Sequence, residues 1–177
     1  GERVGLIHFD AHCDTASELF GHRNHHGGPF RIAVEEGALD PKRTIQIGIR
    51  GPAEPQWAFS YESGMTVIHI EELYAMGITA VIEKSREVVG DGPTYISFDV
   101  DGMDPVYAPG TGTPEVGGFT AYEGQQMLRG LRGLNIVGGD LVEVAPPWDP
   151  SGTTGLNGIQ MMFEIMCLAA EALKIKK

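Results

Sequence analysis

The sequence predicts an α/β fold of three layers, α/β/α, around a mainly parallel sheet. Short β-branched apolar runs alternate with segments whose apolar residues recur at helical spacing, the order that builds βαβ units with right-handed crossovers. Acidic residues also stand at the carboxyl ends of three of the five runs, where parallel sheets bind their ligands. At 177 residues and 42% hydrophobic, without internal repeats or low-complexity tracts, residues 1–177 are expected to form one domain around one core.

Residues 4–9 (VGLIHF) are apolar and read as a buried strand. Residues 16–28 are polar and glycine-containing, with His22, His25 and His26 among them, and read as a loop over the strand end. Pro29 opens a short helix over 30–36, which Gly37 closes. Residues 44–49 and 65–70 are the second and third strands, separated by a Pro- and Gly-rich connection over 51–64. Helices are expected over 71–76 and 78–89, broken at Gly77, and the second gathers Ile78, Val81, Ile82, Val88 and Val89 on one face.

The fourth strand, 94–100, runs into Asp99, Asp101 and Asp104. Thr120 and Glu123 form a capping box for a helix reaching about residue 134, with Met127, Leu128, Leu131 and Leu134 as its buried stripe. Residues 136–144 make a fifth strand that ends at Glu143. Residues 159–173 are apolar nearly all round and read as a buried helix, with Met161, Met162 and Met166 as core filler.

A formal net charge of −11 argues against nucleic acid or an anionic membrane as a partner and suits a cationic ligand. Cys13 and Cys167 give neither a disulfide framework nor a CxxC pair, so a reducing, cytoplasmic location is expected. No apolar run reads as long enough to span a bilayer, and residue 1 onward carries no signal-peptide pattern. Because the first strand starts almost at residue 1, the domain is expected to be N-terminally incomplete, with the opening strand lacking a neighbour that would flank it in the sheet.

The chemistry concentrates where the first strand runs out, at Asp10, His12 and Asp14, and again at Asp99 and Asp101. Residues two apart point to one side of extended backbone, so both strand ends present paired ligands. Four aspartates and a histidine converging on one site repel each other unless divalent cations neutralise them, and two such ions balance four aspartates almost stoichiometrically. Oxygen-rich ligation with a minority of imidazole suits Mn²⁺ better than Zn²⁺, with Ni²⁺ or another divalent ion as the alternative.

Four segments carry a specific resemblance. Residues 7–15 (IHFDAHCDT), 97–105 (SFDVDGMDP), 108–120 (APGTGTPEVGGFT) and 140–149 (DLVEVAPPWD) resemble, in order, the signature motifs of the ureohydrolase family, the arginases and agmatinases. The resemblance implies an arginase-like fold and a binuclear centre, with Asp10, Asp14 and Asp99 on one ion and Asp10, His12, Asp99 and Asp101 on the other. It further implies that His26 moves protons, that Glu143 pairs with the substrate guanidinium, that Thr113 lines the guanidinium pocket and that Asp14 stabilises the tetrahedral intermediate. Cys13, His8 and His69 are expected to be structural, and Asp104 to fix a turn.

The implied reaction is hydrolysis of a guanidino group to urea and an amine, by a homo-oligomer of the trimer or hexamer kind. The run QIGIR at 46–50 and the ending PPWD at 146–149 are more agmatinase-like than arginase-like. The stretch HGGPFR at 26–31 is similar to branches acting on guanidinobutyrate or guanidinopropionate, in which Arg31 or Arg23 would meet a carboxylate tail. The family also carries an upstream glycine-rich segment with one further histidine ligand, so this chain is expected to hold the first ion more weakly. Two other readings are a deacetylase with a single zinc, which would not need Asp101 or Glu143, and a non-catalytic partner or fragment. Metal stoichiometry separates the first from a binuclear hydrolase, and turnover the second.

Overall fold

The computed structural model describes residues 2–51 and 54–175. Among the described residues five strands form one parallel sheet: β1 (Val4–Phe9), β2 (Leu39–Ile49), β3 (Thr66–His69), β4 (Thr94–Asp99) and β5 (Ile136–Val142), in the spatial order β3-β2-β1-β4-β5. Contrary to expectation, the opening strand is fully flanked. β1 lies at the centre, paired with β2 on one side and β4 on the other, and the open edges are β3 and β5.

Among the described residues there are six α-helices, of which the last follows the final strand: α1 (Pro29–Glu35), α2 (Glu54–Ser63), α3 (Ile70–Met76), α4 (Ile78–Val89), α5 (Ala121–Gly130) and α6 (Thr153–Ile175). On one face α3 to α6 pack side by side over the core made by Ile7, Phe9, Ile45, Ile47, Ile96 and Phe98. The other face carries α1 and α2 over a smaller cluster centred on Leu6, Leu39 and Met65, so the three layers are unequal. The central strand β1 is buried on both sides, which is why it reads as a continuous apolar run.

Several elements differ from the sequence expectation. β2 is longer by five residues at its start, and Pro41 is accommodated where the register to β1 shifts between Val4 and Leu6. The segment 51–64 contains helix α2; its apolar residues do not repeat along one face, so periodicity could not reveal it, and residues 52–53 lie outside the described residues. Ile70 belongs to α3, where His69 supplies the N-cap and Glu72 closes the capping box. The capping box of Thr120 and Glu123 is present, but α5 stops at Gly130 and the chain turns on to a buried Leu134. β4 gives way at Val100 to a 3-10 turn, Val100–Gly102, and β5 ends at Val142 because Glu143 turns into the left-handed region at φ 64°.

The last helix is not a buried one. Met161, Ile165, Leu168 and Ala172 face the sheet, whereas Leu156, Ile159, Phe163, Met166 and Leu173 are each more than half exposed, so Met166 is not core filler. Nor does the expectation of no membrane-length segment hold: residues Thr153–Lys174 are long and apolar enough to cross a bilayer by length and composition alone. Its inward face packs on β5 and α5.

Beneath the carboxyl end of the sheet Phe9, Phe98 and Phe119 pack ring against ring, with centroids 5.3 to 6.4 Å apart. Phe9 immediately precedes Asp10, and Phe98 precedes Asp99, so this aromatic floor fixes the height at which both carboxylates emerge. Gly48 (φ +96°) and Gly102 lie flat on Phe119, and a Cβ at either would meet its ring at 3.0 or 2.9 Å.

Candidate metal centre

The adjacent strands β1 and β4 bring their carboxyl ends together, and the ligand-type residues meet there as their spacing requires. Asp10, Asp99 and Asp101 are almost completely buried, while His12 is partly open and Asp14 half-buried. Asp101 accepts the Ala11 N–H at 3.0 Å, and its own N–H donates to Asp99 Oδ1 at 2.8 Å. The His12 ring faces Asp101 through Nδ1 at 3.0 Å, and the hydroxyl of Thr113 donates to the same Asp101 oxygen at 3.0 Å. A cleft of about 90 Å³ is lined by His12, Asp14, His26, Gly27, Asp99, Asp101, Thr113 and Glu143. Every site residue read from the sequence except Asp10 borders this cleft, and Asp10 lies directly behind His12, whose N–H it accepts.

His8 does more than pack. Its Nε2 lies 2.7 Å from Asp10 Oδ2, and its Nδ1 lies 3.2 Å from Gln46 Nε2. Gln46 also donates to the Cys13 carbonyl at 2.6 Å, which can only accept, so the amide nitrogen is the atom facing His8. The ring therefore accepts at Nδ1 and donates from Nε2, holding Asp10 in place as imidazole and carboxylate partners do around metal ligands. Two overlapping donor sets follow, His8 with Asp10 and Asp14, and Asp10 with His12 and Asp101.

The electrostatics are those of crowded carboxylates. Burial, then the charge of Asp10, pushes Asp14 up to about 8 and Asp99 up to about 11, and Asp101 is raised for the same two reasons. Burial works against Asp10 as well, yet the His8 imidazole beside it and the bonds from His12 and His8 hold it well below the carboxylate range. His12 is raised to about 10: desolvation opposes the shift, but its bonds to Asp10 and Asp101 overcome it. Such a cluster suits cations. Oxygen donors from four aspartates with imidazole beside them match a pair of hard-to-borderline divalent ions, and the raised carboxyls are the groups that such ions would neutralise.

Backbone strain marks the same place. Among the described residues three non-glycine positions have positive φ: Asp14 (53°), Phe20 (51°) and Glu143 (64°). Two of them line the cleft, where a left-handed backbone turns the carboxylate in from the strand end.

Other residues escaped the sequence reading. Arg50 donates to the carbonyls of Gly48, Asp101, Gly102, Met103, Glu115 and Val116, tying the end of β2 to the 3-10 turn and to the loop after it. Glu115 places a carboxylate 3.7 Å from His12 Nε2. A lone arginine followed by Gly-Pro gives no signal for such a role, because its partners are backbone carbonyls remote in sequence. Asp104 fixes a turn as expected, accepting from the N–H groups of Val106, Gly117 and Gly118. Cys13 is buried, and its thiol is pushed up to about 12 by burial. Arg23 and Arg31 both pair with Glu35, at 2.9 Å each, on the surface of α1.

Comparison with known proteins agrees with this geometry. Residues 1–168 match the arginase family. The chain is 56% identical over 172 residues to guanidinopropionase from Pseudomonas aeruginosa, spanning 96% of this chain and 54% of that protein. It is 48% identical over 167 residues to the mitochondrial agmatinase of Gallus gallus, spanning 93% and 49%. The fold superposes on proclavaminate amidino hydrolase from Streptomyces clavuligerus with a TM-score of 0.92 at 37% identity, covering 96% of this chain and 57% of that one. The chain spans about half the length of the curated relatives it matches.

Proposed function

The chain belongs to the arginase family, and on that premise we propose that it carries the catalytic centre of a binuclear-metal hydrolase cleaving a guanidino group to urea and an amine. The observation that carries the reading is the cleft itself: buried aspartates and His12 on one wall, Glu143, Thr113 and His26 on the other. Asp10, Asp14 and Asp99 would hold one ion, and Asp10, His12, Asp99 and Asp101 the second, with Asp10 and Asp99 shared. Mn²⁺ is the ion we favour from the donor set, with Ni²⁺ as the alternative. Bound there, the ion pair supplies the Lewis acidity that makes hydroxide available near neutral pH.

The chain's own residues do the rest. Glu143, whose strained backbone turns its carboxylate into the cleft, accepts the N–H groups of the guanidinium and orients its central carbon. Thr113, anchored on Asp101, lines the same pocket. Water adds to the guanidinium carbon, Asp14 stabilises the tetrahedral intermediate, and His26, exposed at the rim, delivers a proton to the departing amine nitrogen as the C–N bond breaks. The substrate is a small cation, with neither nucleic acid nor membrane involved.

For the substrate tail, an agmatinase-like reading rests on the motifs. A guanidino-acid reading is favoured by the 56% identity to guanidinopropionase, although Arg23 and Arg31, the cations expected to meet a carboxylate tail, are held by Glu35. A homo-oligomer, trimer or hexamer, and a cytoplasmic location complete the proposal, the latter on two free cysteines. The test is urea release by the manganese-loaded protein from agmatine, arginine, guanidinobutyrate and guanidinopropionate. Turnover of agmatine or a guanidino acid supports the reading; a protein with two bound ions that releases no urea from any of the four overturns it.

A further inference from the structure

The segment after Glu143 is locked to the loop that bears Thr113. The Ala145 N–H donates to the Gly110 carbonyl at 2.8 Å, and the Gly110 N–H donates to Thr154 Oγ1 at 2.7 Å. Asp149 accepts from the N–H groups of Thr154 and Gly155 at 3.1 and 2.9 Å, and packs so closely on Gly110 that a Cβ there would lie 2.3 Å from its own. These contacts join residues 108–113 and 143–149 into one unit, so whatever that unit presents to the cleft is held in fixed relation to Glu143.

The same unit carries, besides Glu143, an aromatic ring that is mostly exposed. Trp148 is 61% exposed, a large apolar surface left in water. Gly112 is near both side chains. A Cβ built on Gly112 would lie 3.8 Å from Glu143 Oε2 and 3.9 Å from Trp148 Cζ3, so carboxylate and indole both reach the point over Gly112. Glycine is not required there by the backbone, since its φ lies outside the left-handed region. Its effect is to leave a slot open beside a negative charge and an aromatic ring.

We propose that Trp148 is a binding residue for the cation that Glu143 holds, the guanidinium entering the slot over Gly112 with the indole as its second wall. The inference rests on the reading that Glu143 meets a guanidinium. Trp is the aromatic side chain that attracts cations most strongly, and guanidinium is planar and weakly hydrated, so it gives up water to an aromatic surface more readily than an ammonium does. A slot of this kind recognises the charged group whatever the tail behind it.

The protein has two tryptophans, Trp57 and Trp148, so Trp57→Phe leaves Trp148 emission as a direct reporter of the slot. The metal-loaded Trp57→Phe protein is titrated with 3-guanidinopropionate and with 3-ureidopropionate, which has the same shape without the charge. The expected result is a saturable change in emission with the guanidino compound only, abolished by Glu143→Gln. Trp148→Ala in the otherwise unchanged protein raises KM for the guanidino substrate roughly two- to five-fold, the range of an exposed cation–aromatic contact, with Trp148→Phe intermediate. Gly112→Ala, whose methyl makes only ordinary contacts, closes the slot and raises KM further. Urea release with neither an emission change nor a shift in KM on Trp148→Ala overturns the slot and leaves guanidino hydrolysis standing. Absence of both binding and urea release overturns the slot together with the reading beneath it.

Discussion

Removing divalent metal makes the protein less stable as pH rises from 5 to 7, opposite to the trend of proteins whose carboxylates are paired. Asp14 and Asp99 are raised to about 8 and about 11 by burial and by the charge of Asp10, against roughly 4 in the unfolded chain. Between pH 5 and 7 the folded, metal-free protein therefore holds two protons that the unfolded chain has already released. A raised carboxyl contributes stability that is complete below pH 4 and is lost as pH climbs towards its folded value. Each group contributes a slope of about 1.4 kcal/mol per pH unit, so the two together remove at most about 5 kcal/mol over this window, a ceiling because both shifts draw on the same Asp10 charge. His12, raised to about 10, keeps its contribution below pH 6.5 and sheds it only above; Asp10, held low, matters only below pH 4. Manganese should reverse the slope, because it competes with those protons. The assay is the urea midpoint at pH 5, 6 and 7, in EDTA and in excess Mn²⁺. A midpoint in EDTA that is flat or rises with pH would refute the reasoning.

Three substitutions extend this. Glu143→Gln leaves the metal content unchanged and raises KM roughly tenfold, since a charge-assisted bond is about twice as strong as a neutral one; unaltered kcat/KM removes Glu143 from the guanidinium role. His26→Asn lowers kcat by on the order of a hundredfold and flattens its pH profile, as loss of a proton donor requires, whereas wild-type kinetics return His26 to the loop. Arg50→Ala lowers stability by on the order of 3 kcal/mol in urea unfolding, because partly buried carbonyls from three segments lose a donor, and Arg50→Lys does not restore it, since one ammonium cannot fork to them. A neutral Arg50→Ala sinks that account.

The parts legible in the sequence were those written in local pattern. All five strands follow from apolar runs, and Asp10, His12, Asp14, Asp99 and Asp101 follow from the two runs, β1 and β4, that end in carboxylates at the strand ends where parallel sheets hold their chemistry. Helix α2 was hidden because its apolar residues follow no helical stripe. The burial of α6 was overestimated because apolar composition does not say which side of a helix has a neighbour: Ile165 faces the sheet, and Phe163, two residues earlier, faces water. Strand order is non-local, so nothing in residues 4–9 announced that β1 would sit at the centre. Arg50 and Trp148 give no local signal, because most of Arg50's partners are carbonyls 51 to 66 residues away and Trp148 is placed by its proximity to Gly112, while the His8 link to Gln46 spans 38 residues.

The central claim is that Asp10 and Asp99 are shared between two ions. It is tested most directly by elemental analysis of the manganese-loaded protein beside its Asp99→Asn variant, both after gel filtration. Two equivalents per chain in the parent and close to none in the variant are expected, since loss of a shared carboxylate releases both ions. Two equivalents retained by Asp99→Asn would contradict it.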